Sequence, residues 1–192
     1  MSTIRDDRDR ETAAWLAGRI RESRAARQWS LADLATRSSL SRAMLSRIER
    51  GEASPTAGSL ARLASAFGMT LAELLTHAAS DGGRFRARAD QPTWTDPATG
   101  YGRRQIFMSA ALPLELVEVD LPAHAAVAMP AASYALIRQV VWVIAGRLVI
   151  VEGGGRAELE AGDSLEFGPP ADCQFRNETA AACRYLVAVL RI

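Results

Sequence analysis

The chain has no lysine: all 23 of its basic residues are arginine, a bias with no mechanistic weight of its own. It has two histidines, His77 and His124, and two cysteines, Cys173 and Cys183. Two histidines in unrelated contexts supply no Ser/His/Asp or Cys/His nucleophilic set, so no catalytic residue is expected. Two cysteines do not make the disulfide framework of a small secreted protein. Long hydrophobic runs are missing as well. The apolar run at 140–145 falls far short of the ~20 residues that span a bilayer. Residues 1–11 are densely charged and do not read as a signal peptide. A cytoplasmic protein with no membrane partner is the expectation.

What is present divides into two parts. The net charge of +1 conceals an uneven distribution. Residues 13–50 hold 8 arginines against 3 acidic residues, so positive charge gathers where a phosphate backbone can be met. Up to about Leu75 the apolar residues recur at helical spacing, with Leu16 and Ile20, Leu60 and Ala64, and Leu63 and Phe67 each four apart. After Met108 come Val-rich alternating runs broken by Gly and Pro, which read as strands at Leu114–Leu121, 140–144, 147–151 and 184–190. The division expected is a helical domain at 12–76, a linker at 77–92 and a β domain at 93–192. Residues 1–10 read as a disordered arm.

Ser30-Leu31-Ala32-Asp33 has the form of a capping box, in which Ser30 caps a free backbone N–H and Asp33 reaches back to it. It opens a helix at 31–37. Ser38-Ser39-Leu40 breaks that helix, Ser41 is placed to cap a second at 42–50, and Gly51 stops it. With Leu34, Ala35, Leu40, Leu45 and Ile48 facing inward, two short helices joined by a tight turn form a helix-turn-helix. The stripe of Leu45 and Ile48 leaves Arg42, Ala43, Ser46 and Arg47 on the opposite face. The N-terminal part of such a second helix enters a major groove, where arginine reads guanine with two hydrogen bonds. Ser41 and Ser46 suit phosphate contact or capping more than base reading. Arg50 reads equally as a phosphate contact or a surface charge. Trp29 and Phe67 read as core, and Glu49 as structural.

This stretch resembles the XRE (Cro/C1-like repressor) family, through Ser30-Leu31-Ala32-Asp33-Leu34-Ala35, Leu45-Ser46-Arg47-Ile48-Glu49-Arg50-Gly51, Ser54-Pro55 and Leu60…Leu63-Ala64…Phe67-Gly68. The resemblance covers residues 13–75. It implies an all-α, lambda-repressor-like domain of five helices, at 12–27, 31–37, 42–50, 56–67 and 71–75. It also implies a partly buried ion pair between Arg24 and Glu49. Where the family often has a glutamine at the start of the second helix, this chain has Leu31, and a DNA contact there is not expected.

In the second half, Val140-Val141-Trp142-Val143-Ile144-Ala145-Gly146-Arg147-Leu148-Val149-Ile150 reads as strand, glycine turn, strand. Gly162-Asp163-Ser164-Leu165-Glu166-Phe167-Gly168-Pro169-Pro170 reads as a turn and a strand ending at a bend. With Phe175-Arg176-Asn177, these segments resemble the small cupin, an all-β double-stranded β-helix or jelly-roll barrel, over about 105–192. Cupins that hold a metal use two His and a Glu from one motif and a His from the other. Here Gln139 falls at the Glu position, residues 132–135 contain no His, and Cys173 falls at the fourth position. The resemblance therefore implies neither metal nor cofactor. Gly153-Gly154-Gly155 follows one strand and precedes another, so it is a hairpin tip rather than a phosphate loop. Asn177-Glu178-Thr179 matches a glycosylation acceptor, of no consequence in the cytoplasm.

The barrel mouth then suits a small organic effector, with Tyr134, Gln139, Cys173 and Arg104 as candidate ligand-binding residues and Arg104 able to hold a carboxylate. Gln139 reads equally as a satisfied core amide, and Cys173 as a small buried hydrophobe. The function expected is a transcriptional regulator that binds a double-stranded, pseudo-palindromic DNA operator as a homodimer and senses the effector. Two alternatives stand beside it. The barrel could serve only to dimerise the DNA heads, plugged by Phe175, Trp142 and Tyr134, or it could be a metal-dependent enzyme.

Overall fold

A computed structural model describes residues 3–76 and 85–192, and among these five α-helices are followed by ten strands. The helices are α1 (Thr3–Ala26), α2 (Leu31–Ser38), α3 (Arg42–Glu49), α4 (Ala57–Phe67) and α5 (Leu71–Leu75). All but the first start within one residue of the sequence expectation. The supposed arm at 1–10 is instead helical from Thr3. No Gly or Pro precedes Gly18, so the sequence holds no residue that would break the helix there. Met1, Ser2 and residues 77–84 of the expected linker lie outside the described residues.

Each of the short helices is started by a side chain. The Ser30 hydroxyl accepts from Asp33 N–H while the Asp33 carboxylate accepts from Ser30 N–H. Thr56 caps α4, and Thr70 caps α5 with Glu73 completing the box. Leu16, Ile20, Leu34, Leu45, Ile48, Leu60, Leu63, Phe67 and Leu74 bury together as the helical core. Trp29 stands at its edge and stacks on Phe67 at a ring separation of 6.0 Å.

The strands are β1 (Thr93–Thr95), β2 (Gly102–Met108), β3 (Leu114–Leu121), β4 (Ala126–Met129), β5 (Ile137–Ala145), β6 (Arg147–Glu152), β7 (Gly155–Glu160), β8 (Ser164–Glu166), β9 (Cys173–Arg176) and β10 (Cys183–Arg191). They form two antiparallel sheets, ordered β1-β2-β3-β10-β5-β8 and β4-β9-β6-β7. Side chains alternate between the faces. Val117, Val119 and Leu121 of β3, Val141 and Val143 of β5 and Tyr185 and Val187 of β10 are buried between the sheets. Gly146 makes the β5–β6 turn at φ +82, where a Cβ would come within 2.8 Å of the Ala182 carbonyl oxygen. Asn177 is 1% exposed, and its amide donates to the carbonyls of Leu121, Pro122 and Ala181. It is a loop clamp.

An aromatic ladder, Tyr134–Phe167–Phe175–Tyr185, stacks through the β core with successive ring separations of 5.9, 5.9 and 5.8 Å. Trp142, expected as part of a plug, is not in it. It is 47% exposed on the outer face of β5, beside Val140 and Ile144. The strand parity that turns Val141 and Val143 inward turns Trp142 out.

The helices and the β layers share a core. Ala57 and Ala61 of α4 are buried against the β side chains, while Leu60 and Leu63 of the same helix belong to the helical core. Small residues permit the approach: a Cβ at Gly58 would meet the Ala128 carbonyl oxygen at 3.1 Å. Buried Asp96 accepts from Ala57 N–H at 3.1 Å, Ser65 donates to the Ala132 carbonyl at 3.1 Å, and Thr70 donates to Glu115 at 2.9 Å.

Glu115 is 1% exposed, and burial raises its pKa above the ordinary carboxylate range despite the Thr70 hydrogen bond and the charges of Arg191 and Arg103. A raised folded-state pKa contributes stability that is complete below the unfolded value and lost as pH rises through the folded one. Glu115→Gln keeps an oxygen for Thr70 and carries no charge. We expect it to melt a few degrees higher than wild type in mildly alkaline buffer and equally in mild acid, as thermal scans across pH would show.

Candidate nucleic-acid interface and barrel cavity

Two buried features hold α3 in place. Its apolar side, Leu45 and Ile48, sits in the helical core. Behind it, Arg24 of α1 grips Glu49 bidentately, Nε to Oε1 and Nη2 to Oε2 both at 2.7 Å, and donates a third hydrogen bond to the Trp29 carbonyl at 2.8 Å. That is the ion pair the resemblance implied, and it ties α1 to the C-terminal end of α3. The Trp29 ring is covered in turn by Arg37, 4.4 Å from its centroid. Leu31 packs against the helical core, so the departure from glutamine is a packing choice.

The outward side of α3 is open. Ser41, Arg42, Ala43 and Arg47 are exposed and Ser46 is half-buried. Ser41 is engaged as the helix cap, its hydroxyl accepting from Met44 N–H at 3.1 Å. Arg50 donates to both carboxylate oxygens of Glu52 at 2.6 and 2.7 Å and also to the Ser46 hydroxyl. Neither Arg42 nor Arg47 makes an ion pair among the described residues. Two uncommitted guanidiniums therefore stand on α3, Arg42 at its first residue and Arg47 in its last turn, and a third, Arg50, is held by an acid. The sequence reading missed Met44, which is 44% exposed on this side. It lies outside the Leu45/Ile48 stripe and three residues before Arg47, and an apolar side chain there suits a thymine methyl.

A cavity of about 70 Å³ lies where α4 and α5 cover the β layers. Ala61, Ser65 and Leu71 wall it from the helices, and Tyr134, Gln139 and Tyr185 from the barrel. The structure thus brings together two of the four expected ligand residues, Tyr134 and Gln139. Cys173 lies in the core, 1% exposed and outside the cavity wall. Arg104 does not reach the cavity: it is on the outer face of β2, ion-paired with Glu118. The neighbouring Arg103 lines the cavity instead. Strand alternation turns Arg103 in and Arg104 out, so the cation at the cavity is the neighbour of the one expected from sequence.

Three buried polar atoms at this wall, Ser133 Oγ, Tyr134 Oη and Gln139 Nε2, make no hydrogen bond of good geometry, although the Tyr134 hydroxyl lies near enough to the Gln139 amide and the Cys173 thiol to feel both. Burial holds the Tyr134 hydroxyl protonated, its pKa raised well above the usual range. Burial also pushes the Cys173 thiol up to about 12 and the Cys183 thiol up to about 11. A neutral thiol, a phenol and an amide are a poor donor set for a divalent cation. Among the described residues no group of three His, Cys, Asp or Glu comes together as a metal site. The residues present do not fit the metal that cupins carry. Among the described residues, no helix is long and apolar enough to cross a membrane.

Comparison with known proteins places this arrangement. Residues 20–74 match the HTH_3 family, described as Helix-turn-helix. A solved HTH_3 family transcriptional regulator from Vibrio cholerae is similar over 96% of this chain and 99% of its own, with a TM-score of 0.79 and 22% identity. A cupin_2 domain of an XRE family transcriptional regulator from Enterobacter cloacae is similar over 47% of this chain and 95% of its own, with a TM-score of 0.44 and 15% identity. Hydroxypropylphosphonic acid epoxidase from S. wedmorenis is similar over 93% of this chain and 97% of its own, with a TM-score of 0.48 and 19% identity. Those last two likenesses are too distant to carry an argument about function. No curated protein matches the chain in sequence. The class is a helix-turn-helix domain followed by a β half of two antiparallel sheets. In particular, residues 20–74 match the HTH_3 helix-turn-helix family.

Proposed function

We propose that this chain is a cytoplasmic transcriptional regulator, with a DNA-binding domain at 12–76, a linker at 77–92 and a metal-free sensor domain at 93–192. It acts as a homodimer on a pseudo-palindromic operator and binds a small organic effector in the barrel cavity. The observation that carries the reading is the open face of α3, held rigidly from behind by the Arg24–Glu49 pair. Arg42 and Arg47 read base edges, and Ala43 and Met44 offer apolar contact. Ser41 and Ser46 approach phosphates, and Arg50 reaches a phosphate once Glu52 releases it. The exposed pair with Glu52 is a weak restraint. The Vibrio cholerae neighbour is itself described as a transcriptional regulator, which agrees with this reading. The donor set at Gln139 and Cys173 argues against an enzyme. Selection of bound duplexes from a random library tests the proposal: a two-fold symmetric site with half-sites about 34 Å apart is expected. Enrichment of no sequence would overturn it.

The outer face of β5 suits the dimer contact. Val140 is 39%, Trp142 47% and Ile144 38% exposed on it, and Leu190 of the adjacent β10 adds 46%. Apolar side chains in that density on one sheet face mark an interaction surface. Trp142→Glu is expected to give a monomer by sedimentation and to weaken operator binding at least ~100-fold, since two linked heads gain avidity that one lacks.

A further inference from the structure

The cavity belongs to both halves of the molecule, and that has consequences for what fills it and what the filling does. Ala61, Ser65 and Leu71 come from α4 and α5, the helices that follow α3 in the same compact core. They are also the helices stitched to the barrel by Asp96, Ala132 and Glu115. Arg191 at the end of β10 adds an ion pair to Glu73 of α5 at 3.2 Å. Anything entering the cavity touches the DNA-binding domain directly.

The wall specifies the chemistry of the occupant. Most of it is apolar or aromatic, from Ala61 and Leu71 through Tyr185 to Val187. The unpaired polar atoms are Gln139 Nε2, an obligate donor, with the Tyr134 and Ser133 hydroxyls, which can both donate. Tyr134 and Gln139 are 9% and 7% exposed, so water cannot freely satisfy them. An unmet buried donor is unfavourable and is relieved by an acceptor. The wall also carries Arg103 and the Glu115 carboxyl, which lie close enough to act on each other, and Thr70 already donates to Glu115. The groups left without a good partner at Gln139, Tyr134 and Ser133 are donors, so an oxygen acceptor is what that end of the wall takes. The volume is about half that of an apolar cavity known to admit benzene, which limits the enclosed part to a few heavy atoms.

Resting on the regulator reading above, we infer that the effector is a small molecule with a short apolar body and a carbonyl-type oxygen head, a carboxamide or carboxylate. It lies between the barrel and α4–α5, with its head on Gln139, Tyr134 and Ser133. Its occupancy resets the seat of α4–α5 on the barrel, and so the placement of α3 in each half of the dimer.

The test uses the full-length, isotope-labelled protein without DNA, titrated separately with butyramide, butyrate, butanol and butylamine. Butyramide or butyrate should bind most tightly. It should move the Gln139 side-chain amide signal, identified by its loss in Gln139→Leu, together with the backbone amides of Ala61, Ser65 and Thr70. Gln139→Leu should keep the folded spectrum and weaken that binding about tenfold. Butylamine binding ahead of both, or no probe moving Gln139, would overturn the ligand class. Shifts confined to barrel amides would overturn the shared site. Operator affinity is then measured at saturating probe, where a change of at least ~5-fold is expected, the low end of ordinary coupling. An unchanged affinity defeats the coupling. A protein that binds no DNA defeats the regulator reading while leaving the cavity result standing.

Discussion

Arg24→Ala loses about 3 kcal/mol of stability in the helical half, a large share of the 5–15 kcal/mol that holds an ordinary domain. Glu49 retains only 7% side-chain exposure, and both its oxygens are held by Arg24 at 2.7 Å. Removing the guanidinium leaves a carboxylate in a site water does not reach. The figure sits at the low end of the range for broken buried pairs because Arg24 itself keeps 19% exposure. Urea unfolding followed by helical circular dichroism measures it. Removing both charges together, as Arg24→Met with Glu49→Leu, should recover much of the loss, since the penalty comes from the stranded charge rather than from the missing pair. Arg50→Ala makes the contrast: its partner Glu52 is 51% exposed, and stability should hardly change.

The second large effect is on DNA. Arg42→Ala removes a guanidinium from the first residue of α3, where a recognition helix meets base edges. About 1–3 kcal/mol is expected for each half-site, and because a dimer carries the change twice the operator complex should weaken by about 2–6 kcal/mol. Fluorescence anisotropy at fixed salt reads this, and fixed salt matters because phosphate contacts make affinity steeply salt-dependent. Helix content and melting temperature should stay at the wild-type values, because Arg42 is exposed and packs on nothing in either core.

The helix-turn-helix was legible in sequence because its determinants are local. Ser30, Asp33 and Ser41 set the helix starts within a few residues of themselves, and Leu34, Leu45 and Ile48 set the buried stripe. The β half was legible at the level of alternation, and Leu114–Leu121 was read to its exact ends. Parity was harder. A shift of one residue sends a strand side chain to the other face, and that one step separates Arg104, expected at the cavity, from Arg103, which lines it. The same rule separates Gln139 from Trp142: three positions apart on one strand, they face opposite ways.

The joint between the halves was not legible at all. Asp96 meets Ala57, Glu115 meets Thr70 and Ala132 meets Ser65 across wide gaps in sequence, and no local periodicity encodes such pairs. Ala57-Gly58 and Ala61 read as ordinary helix residues until the strand beneath them is seen. Their small size is what lets α4 serve two cores.

Whether α3 reads bases is the central question for this protein. The most direct measurement compares wild type and Arg42→Ala on the selected operator and on every single-base variant of it. If Arg42 reads a base, the variant loses discrimination at one base pair per half-site and keeps it elsewhere. An equal loss on every sequence would contradict base reading and reduce Arg42 to a phosphate contact.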